Sequence, residues 1–313
     1  MAGISSKAAT TLENKYKYNG KELQSKEFTD GSGLEWTDYG ARMYDQQIGR
    51  WMVVDAMCEE TESITPYNYG LNSPINYVDV KGYFSILHHH DFTYNALKKF
   101  GYNSNTRDLV SHYASTYADN PTGFKGALIR FWENSPRWSG IDYSPTKNSQ
   151  NTASIENSTW HSMRADGENI TNEAAMARGQ EFGWNKIFEA SSEIKKVGGM
   201  ENLKKNSKGI QALGQGVHAL QDAVAHQGTD MDNHDTWKDM QPGKKLYDQA
   251  SNVTEGAFMV TEIMSGNSNH LTNEMSINIT GMTSNQLQTF TTNLIDLMQK
   301  KDGVTKVYLT TQH

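Results

Sequence analysis

The chain of 313 residues holds a single cysteine, Cys58. That excludes an internal disulfide framework and any zinc site built from several thiolates, so a metal bound here must be held by His, Asp and Glu. Positive charge is not in excess. Lys and Arg number 29 against 36 Asp and Glu, and the formal net charge of −7 offers no strong field for nucleic acid or an anionic membrane. No run approaches the ~18 apolar residues of a membrane span. Met1-Ala2-Gly3-Ile4-Ser5-Ser6-Lys7 lacks the apolar core of a signal peptide. There is no Gly-rich phosphate loop and no internal repeat. What remains is length enough for two domains, a composition rich in Asn, Ser, Thr, Gly and Tyr of the kind common in exported proteins, and ten histidines.

The most informative stretch runs from Leu213 to Gly228. Leu213, Val217, Leu220 and Val224 recur at helical spacing. His218, Asp222 and His226 recur at i, i+4 and i+8, which stacks them along one side of the same helix. Two solvent-facing imidazoles and an ion-paired Asp would account for one His–Asp pair. Three such residues on an apolar helix favour a metal, because a buried carboxylate needs a counter-charge.

Along the chain the texture changes once. Residues 1–15 form a polar lead-in. Residues 16–83 read as short aromatic strands separated by Asn-Gly, Asp-Gly and Ile-Gly turns, a pattern of hairpins. Residues 84–313 read as a helical domain. Helices are expected after His88-His89-His90-Asp91, over 106–118 with a stop at Asp119-Asn120-Pro121, and over 172–197, 207–226, 244–264 and 283–301, with a final short strand at 304–310. Residues 134–158 are expected to be a long Ser/Asn-rich loop that delivers Trp160 and His161. Gly228 is the expected helix terminator. After it comes an acidic loop, Thr229-Asp230-Met231-Asp232-Asn233-His234-Asp235.

The first of these segments resembles the Rhs repeat-associated core of polymorphic toxins. The resemblance rests on Tyr39-Gly40-Ala41-Arg42-Met43-Tyr44-Asp45, Ile48-Gly49-Arg50-Trp51, Asp55, Pro66-Tyr67-Asn68-Tyr69 and Pro74-Ile75-Asn76-Tyr77-Val78-Asp79. The family's Asp-Pro-x-Gly border, where some members self-cleave, stands here as Asp79-Val80-Lys81-Gly82. The resemblance implies a secreted or surface-borne effector carried by a larger Rhs apparatus, of the kind used in competition between bacteria. It also implies the rest of an Rhs shell and an immunity protein as partners. In such proteins the segment C-terminal to the core is the variable effector, whose identity its own residues must supply.

In that second domain the candidate ligands are His88, His89 and His90 as alternatives, then Asp119, His161, His218, Asp222, His226 and His234. A set of N and O donors suits catalytic zinc, and more ligands than one ion can use suit a multinuclear centre that cleaves phosphate esters. His218-Ala219-Leu220-Gln221-Asp222 with His226, His89 before a helix, Tyr117-Ala118-Asp119-Asn120-Pro121 and Trp160-His161 together resemble the zinc-dependent phospholipase C and single-strand nuclease superfamily. That resemblance implies a mostly α protein whose second domain is all-α and holds two or three zinc ions. One zinc would sit on Asp119, His161, His218 and a bridging Asp222, a second on His226 and His234, and a third would include His89. Asp119 would double as the catalytic base. Membrane phospholipid is the implied substrate, and single-stranded nucleic acid the alternative. Arg130, Trp132, Arg137 and Trp138 could serve either. The family's acidic ligand after the last His is replaced by Lys238, which leaves Asp235, Asp239 or Asp248 for that role. A surface protein that binds metal without turnover is the reading outside enzymes.

Overall fold

A computed structural model of the chain describes residues 22–26, 28–30, 32–39, 42–54, 65, 67–69, 86–120, 138–147, 149, 151, 153–230, 244–270, 272, 274–300 and 306–311. The chain divides into two units, Met1–Ser85 with Thr236–Gly243, and Ile86–Asp235 with Lys244–His313. It is mostly helical, with a small antiparallel sheet near the N-terminus. No helix among the described residues is long and apolar enough to cross a membrane.

In the first unit, strands β1 (Glu22–Gln24), β2 (Trp36–Asp38), β3 (Met43–Asp45) and β4 (Arg50–Trp51) pair in sequence order. The register aligns Leu23, Thr37, Tyr44 and Trp51 across one face. Strands of two or three residues bury little, so this face needs large side chains. Tyr39, Tyr44, Trp51 and Tyr69 supply them as a buried cluster with ring centroids 4.1–5.8 Å apart. The Tyr39 and Tyr69 hydroxyls pair at 3.0 Å, and the Arg42 guanidinium lies over the Trp51 ring. The β3–β4 turn arises from Asp45, whose Oδ1 accepts from the Gln47 and Ile48 amides, and from Gly49 at φ +67°. Asp55, Pro66, residues 74–79 and the border at 79–82 lie outside the described residues.

The second unit is built on α1 (Ile86–Lys99), α2 (Ser104–His112), α3 (Ile155–Trp160), α4 (Asn172–Val197), α5 (Lys208–His226), α6 (Lys244–Ser265) and α7 (Ser284–Lys300). Side-chain caps start most of them: Asn103 before α2, Ser154 before α3, Thr171 before α4 and Ser207 before α5 each accept from an amide three residues on. Gly198 closes α4 in the left-handed conformation. Helix α5 is buried on nearly every side from Gly209 to Ala225, as its composition requires, and forms the axis against which α4 and α6 pack. Two glycines let α4 and α5 touch. A Cβ on Gly216 would lie 2.9 Å from the Gly183 carbonyl oxygen, and one on Gly183 would lie 3.1 Å from that of Gly216.

Four expectations need correction. The helix expected over 106–118 starts at Ser104 and becomes a π-helical turn at Tyr113–Tyr117, a widening that no periodicity reveals. The stretch expected as loop contains a 3₁₀ turn at Ser144–Thr146 and the Ser154-capped helix α3. The left-handed end of α5 begins at Gln227, one residue before the expected Gly228, which follows at φ +76°. The second unit is not all-α. The terminal strand β6 (Lys306–Thr310) pairs in parallel with β5 (Glu274–Asn278), and α7 crosses between them. Only Met275 and Ile277 alternate in β5, too weak a signal to separate it from loop.

This packing can be tested at two positions. A Cβ on Gly214 would sit 2.5 Å from the Tyr113 carbonyl carbon and oxygen, where backbone meets backbone and no rotamer offers relief. Helix propensity alone would make Gly214→Ala stabilising by ~1 kcal/mol. Urea unfolding should instead show a loss of about 3 kcal/mol, the upper end of overpacking costs. The second position is His112, which is buried, hydrogen-bonded to the Tyr143 hydroxyl and stacked on Trp138 at 4.1 Å. Burial, with the charges of His90 and Lys205, holds its pKa down to about 3 from 6.5. The unfolded chain thus takes up a proton that the fold refuses. The resulting stability is present above pH 6.5 and is lost as pH falls toward 3, at up to about 1.4 kcal/mol per pH unit. Melting temperatures of His112→Gln should fall less steeply than wild type between about pH 7 and 5.

Candidate metal centre

Asp222 projects from the middle of α5 and is 1 % exposed. An ionised carboxylate at such a place needs compensation. Four imidazoles surround it. Its Oδ2 lies 2.9 Å from His161 Nδ1 and 3.0 Å from His218 Nε2. Its Oδ1 lies 3.1 Å from His89 Nε2 and 3.3 Å from His226 Nε2. His218 and His226 come from α5 itself, one turn to either side, as their spacing predicts. His89 comes from α1 and His161 from the C-cap of α3. Asp119 completes the group, with Oδ1 3.6 Å from His218 Nε2.

The π-helical turn places Asp119. It runs beside Gly214, whose missing side chain admits the Tyr113 backbone, and so carries the chain from α2 to Asp119 at the edge of the cluster. Ser149 fixes both neighbours. Its hydroxyl donates to the Asp119 carbonyl at 2.9 Å and its own carbonyl faces His161 Nε2 at 3.2 Å. Ser162, next to His161, donates to the Ala219 carbonyl and ties the end of α3 to α5.

Each of three imidazoles spends its outer nitrogen on a carbonyl oxygen: His218 Nδ1 on Ala114, His161 Nε2 on Ser149, and His89 Nδ1 on the Gln221 amide. A carbonyl has no proton to give, so each outer nitrogen carries the hydrogen, and in the neutral ring each inner nitrogen turns a lone pair inward. Metal-bound histidines are held this way. His161 Nδ1 and His218 Nε2 then face each other at 3.2 Å, an arrangement that needs a cation or a proton between them.

Two groups of candidate ligands converge among the described residues: His89, Asp119 and His218, and His161, His218 and Asp222. A tetrahedral ion bonded at 2.0–2.1 Å sets its donors ~3.3 Å apart, the spacing of this cluster. Asp222 Oδ1 is buried, and although two ring nitrogens approach it, neither is aligned to hydrogen-bond with it. An ion would satisfy that atom, so the residues present fit a metal. In its absence protons supply the balance. Burial pulls the pKa of His218 down, but the Asp222 and Asp119 carboxylates outweigh it and raise it to about 9. Burial pushes Asp222 up, yet the His218, His226 and His89 charges and the His161 hydrogen bond hold it well below the usual carboxylate range.

The sequence-derived set therefore largely assembles, with adjustments. His89 is the one of the three consecutive histidines that joins. It lies within α1 rather than ahead of it, while His88 stacks on Phe92 and His90 on Tyr94. His89 lies close to Asp222 and His218 and falls in the group with Asp119 and His218, apart from the group of His161, His218 and Asp222. Asp248 is exposed and belongs to neither group. His234, Asp235 and Asp239 lie outside the described residues, as do Arg130, Trp132 and Arg137. Trp138 is partly buried, stacks on His112 and packs against the core. Gln221, Ser149 and the Ala114 carbonyl were not legible as site components. A cavity of about 390 Å³ bordered by Phe100, Tyr102, Glu201 and His270 shares no residue with the cluster.

No protein-family model, curated protein or solved structure matches the chain.

Stripped protein should take up a divalent transition metal and gain thermal stability, by ~2.7 kcal/mol when free metal reaches a hundred times its Kd. A chelator should reverse the gain, and Asp222→Asn should remove it. A melting temperature indifferent to zinc, cobalt and manganese would rule out the metal centre.

Proposed function

We propose that the chain is the effector end of an Rhs-type polymorphic toxin and that its helical unit is a zinc-dependent phosphodiesterase, a phospholipase C acting on membrane phospholipid. The observation that carries the catalytic part is the buried Asp222 carboxylate with imidazole nitrogens at 2.9–3.3 Å around both oxygens. A donor set of nitrogens and oxygens without sulfur suits catalytic zinc. The His/Asp order along the chain supports phosphate-ester chemistry through its resemblance to the zinc phospholipases. A zwitterionic lipid is preferred over nucleic acid because a net charge of −7 gives no attraction to a polyanion and is indifferent to a surface without net charge.

Zinc bound among these residues would supply Lewis acidity and lower the pKa of a water to ~7. The chain's own contribution is orientation and proton handling. His89, His161 and His218 are oriented by their carbonyl partners and cannot swing. Asp222 is sealed from solvent, whereas the Asp119 side chain is 14 % exposed at the edge of the cluster and can meet a substrate. Asp119 accepts the proton of the attacking water as its oxygen bonds to phosphorus. The phosphorus–oxygen bond to the glycerol breaks, and the proton passes to that leaving oxygen, giving diacylglycerol and a phosphorylated head group.

Zinc-loaded protein should release phosphorylated head groups from phosphatidylcholine vesicles and leave single-stranded DNA intact. His218→Ala should fall to background, and Asp119→Asn should lose about a hundred- to ten-thousand-fold in rate, the range of a general base. Cleavage of DNA without lipid turnover would replace the lipase reading by a nuclease. Inertness of fully loaded protein toward both would refute a phosphodiesterase.

A further inference from the structure

Three of the cluster's imidazoles are oriented by carbonyl oxygens. For His161 and His218 that oxygen belongs to the backbone. For His89 it belongs to a side chain, Gln221, which is fully buried beside Asp222 on α5 and points away from it toward α1 and α6.

The direction of the Gln221 amide is set by its neighbours. Thr254 Oγ1 donates its one proton to the Ala250 carbonyl at 2.7 Å, so toward Gln221 it can only accept. The Gln221 atom 2.9 Å from it must therefore be the amide nitrogen, which reaches Thr93 Oγ1 at 3.2 Å with its other hydrogen. That leaves Oε1 against His89 Nδ1 at 2.7 Å. An amide oxygen cannot donate, so His89 Nδ1 carries the hydrogen. In the neutral ring its Nε2 then presents a lone pair 3.1 Å from Asp222 Oδ1, the oxygen without a hydrogen bond. Two acceptors at that distance are an invitation to a cation.

We infer that Gln221 is a positioning residue: locked by Thr93 and Thr254, it fixes the tautomer and orientation of His89 and so makes His89 a metal ligand through Nε2. Helices α1, α5 and α6 each contribute one residue to the lock, so the placement of His89 is tied to their packing. The inference rests on the metal reading of the proposed function for its consequence, but the tautomer itself does not depend on metal.

The test has two arms. In metal-free, ¹⁵N-labelled protein, long-range nitrogen–proton correlations of the His89 ring should show Nδ1 protonated. An unprotonated Nδ1 would overturn the inference. In the second arm, cobalt is titrated into stripped protein and monitored by calorimetry and by its visible spectrum. Gln221→Leu, which keeps the volume and removes the acceptor, should weaken cobalt binding by about 10–100-fold, the usual effect of removing a ligand's supporting partner, and alter the spectrum. Thr254→Ser, which keeps the hydroxyl that accepts from the Gln221 amide, should bind cobalt within about threefold of wild type. Equal affinity and an unchanged spectrum in Gln221→Leu would overturn the inference. If Gln221→Leu fails to fold, unchanged cobalt affinity and spectrum in Thr254→Val, which removes the acceptor that fixes the Gln221 amide, does so instead. Wild-type protein that binds no cobalt would refute the metal centre, while the ring tautomer would still decide the role of Gln221.

Discussion

A carboxylate sealed inside a helical unit is the constraint that governs the surrounding structure. Asp222 lies on the helix that forms the axis of its unit, 1 % exposed, and removing a charge from water without compensation costs several kcal/mol or more. The fold answers with nitrogen: His218 and His226 from the same helix, His89 from α1 and His161 from the end of α3. Compensation by imidazoles alone is incomplete, since one carboxylate oxygen has no aligned donor. That shortfall, together with inward-facing lone pairs, is the physical content of the metal reading.

Much of the surrounding architecture serves to bring those groups within reach. Glycines at 183 and 216 let α4 and α5 approach backbone to backbone, and Gly214 does the same for the π-helical turn. That turn supplies both the Ala114 carbonyl that orients His218 and the path to Asp119. Ser149 links Asp119 to His161, and Gln221 links His89 to two threonines. These supports are ordinary polar groups, and their importance lies in which nitrogen they oblige to carry a proton. The N-terminal unit solves a simpler problem. Its strands are too short to hold together by hydrogen bonds alone, and four interlocked aromatic rings give them a core.

Local sequence sufficed for most of the elements and for the central His and Asp residues of the cluster. Apolar recurrence at helical spacing, capping Thr and Ser and terminal Gly mark α4 and α5 nearly to the residue, because these signals are local and the backbone obeys them locally. The i, i+4, i+8 placement of His218, Asp222 and His226 is likewise dictated by helix geometry. Contacts between distant segments settled the rest. They selected His89 from three adjacent histidines, since only that position faces α5. They widened α2 into a π-helical turn where α5 presents a glycine, paired β5 with a strand beyond an intervening helix, and enlisted Ser149 and Gln221. Such choices rest on which atoms meet across the fold, and a one-dimensional pattern carries the period of a helix but not the identity of its neighbours.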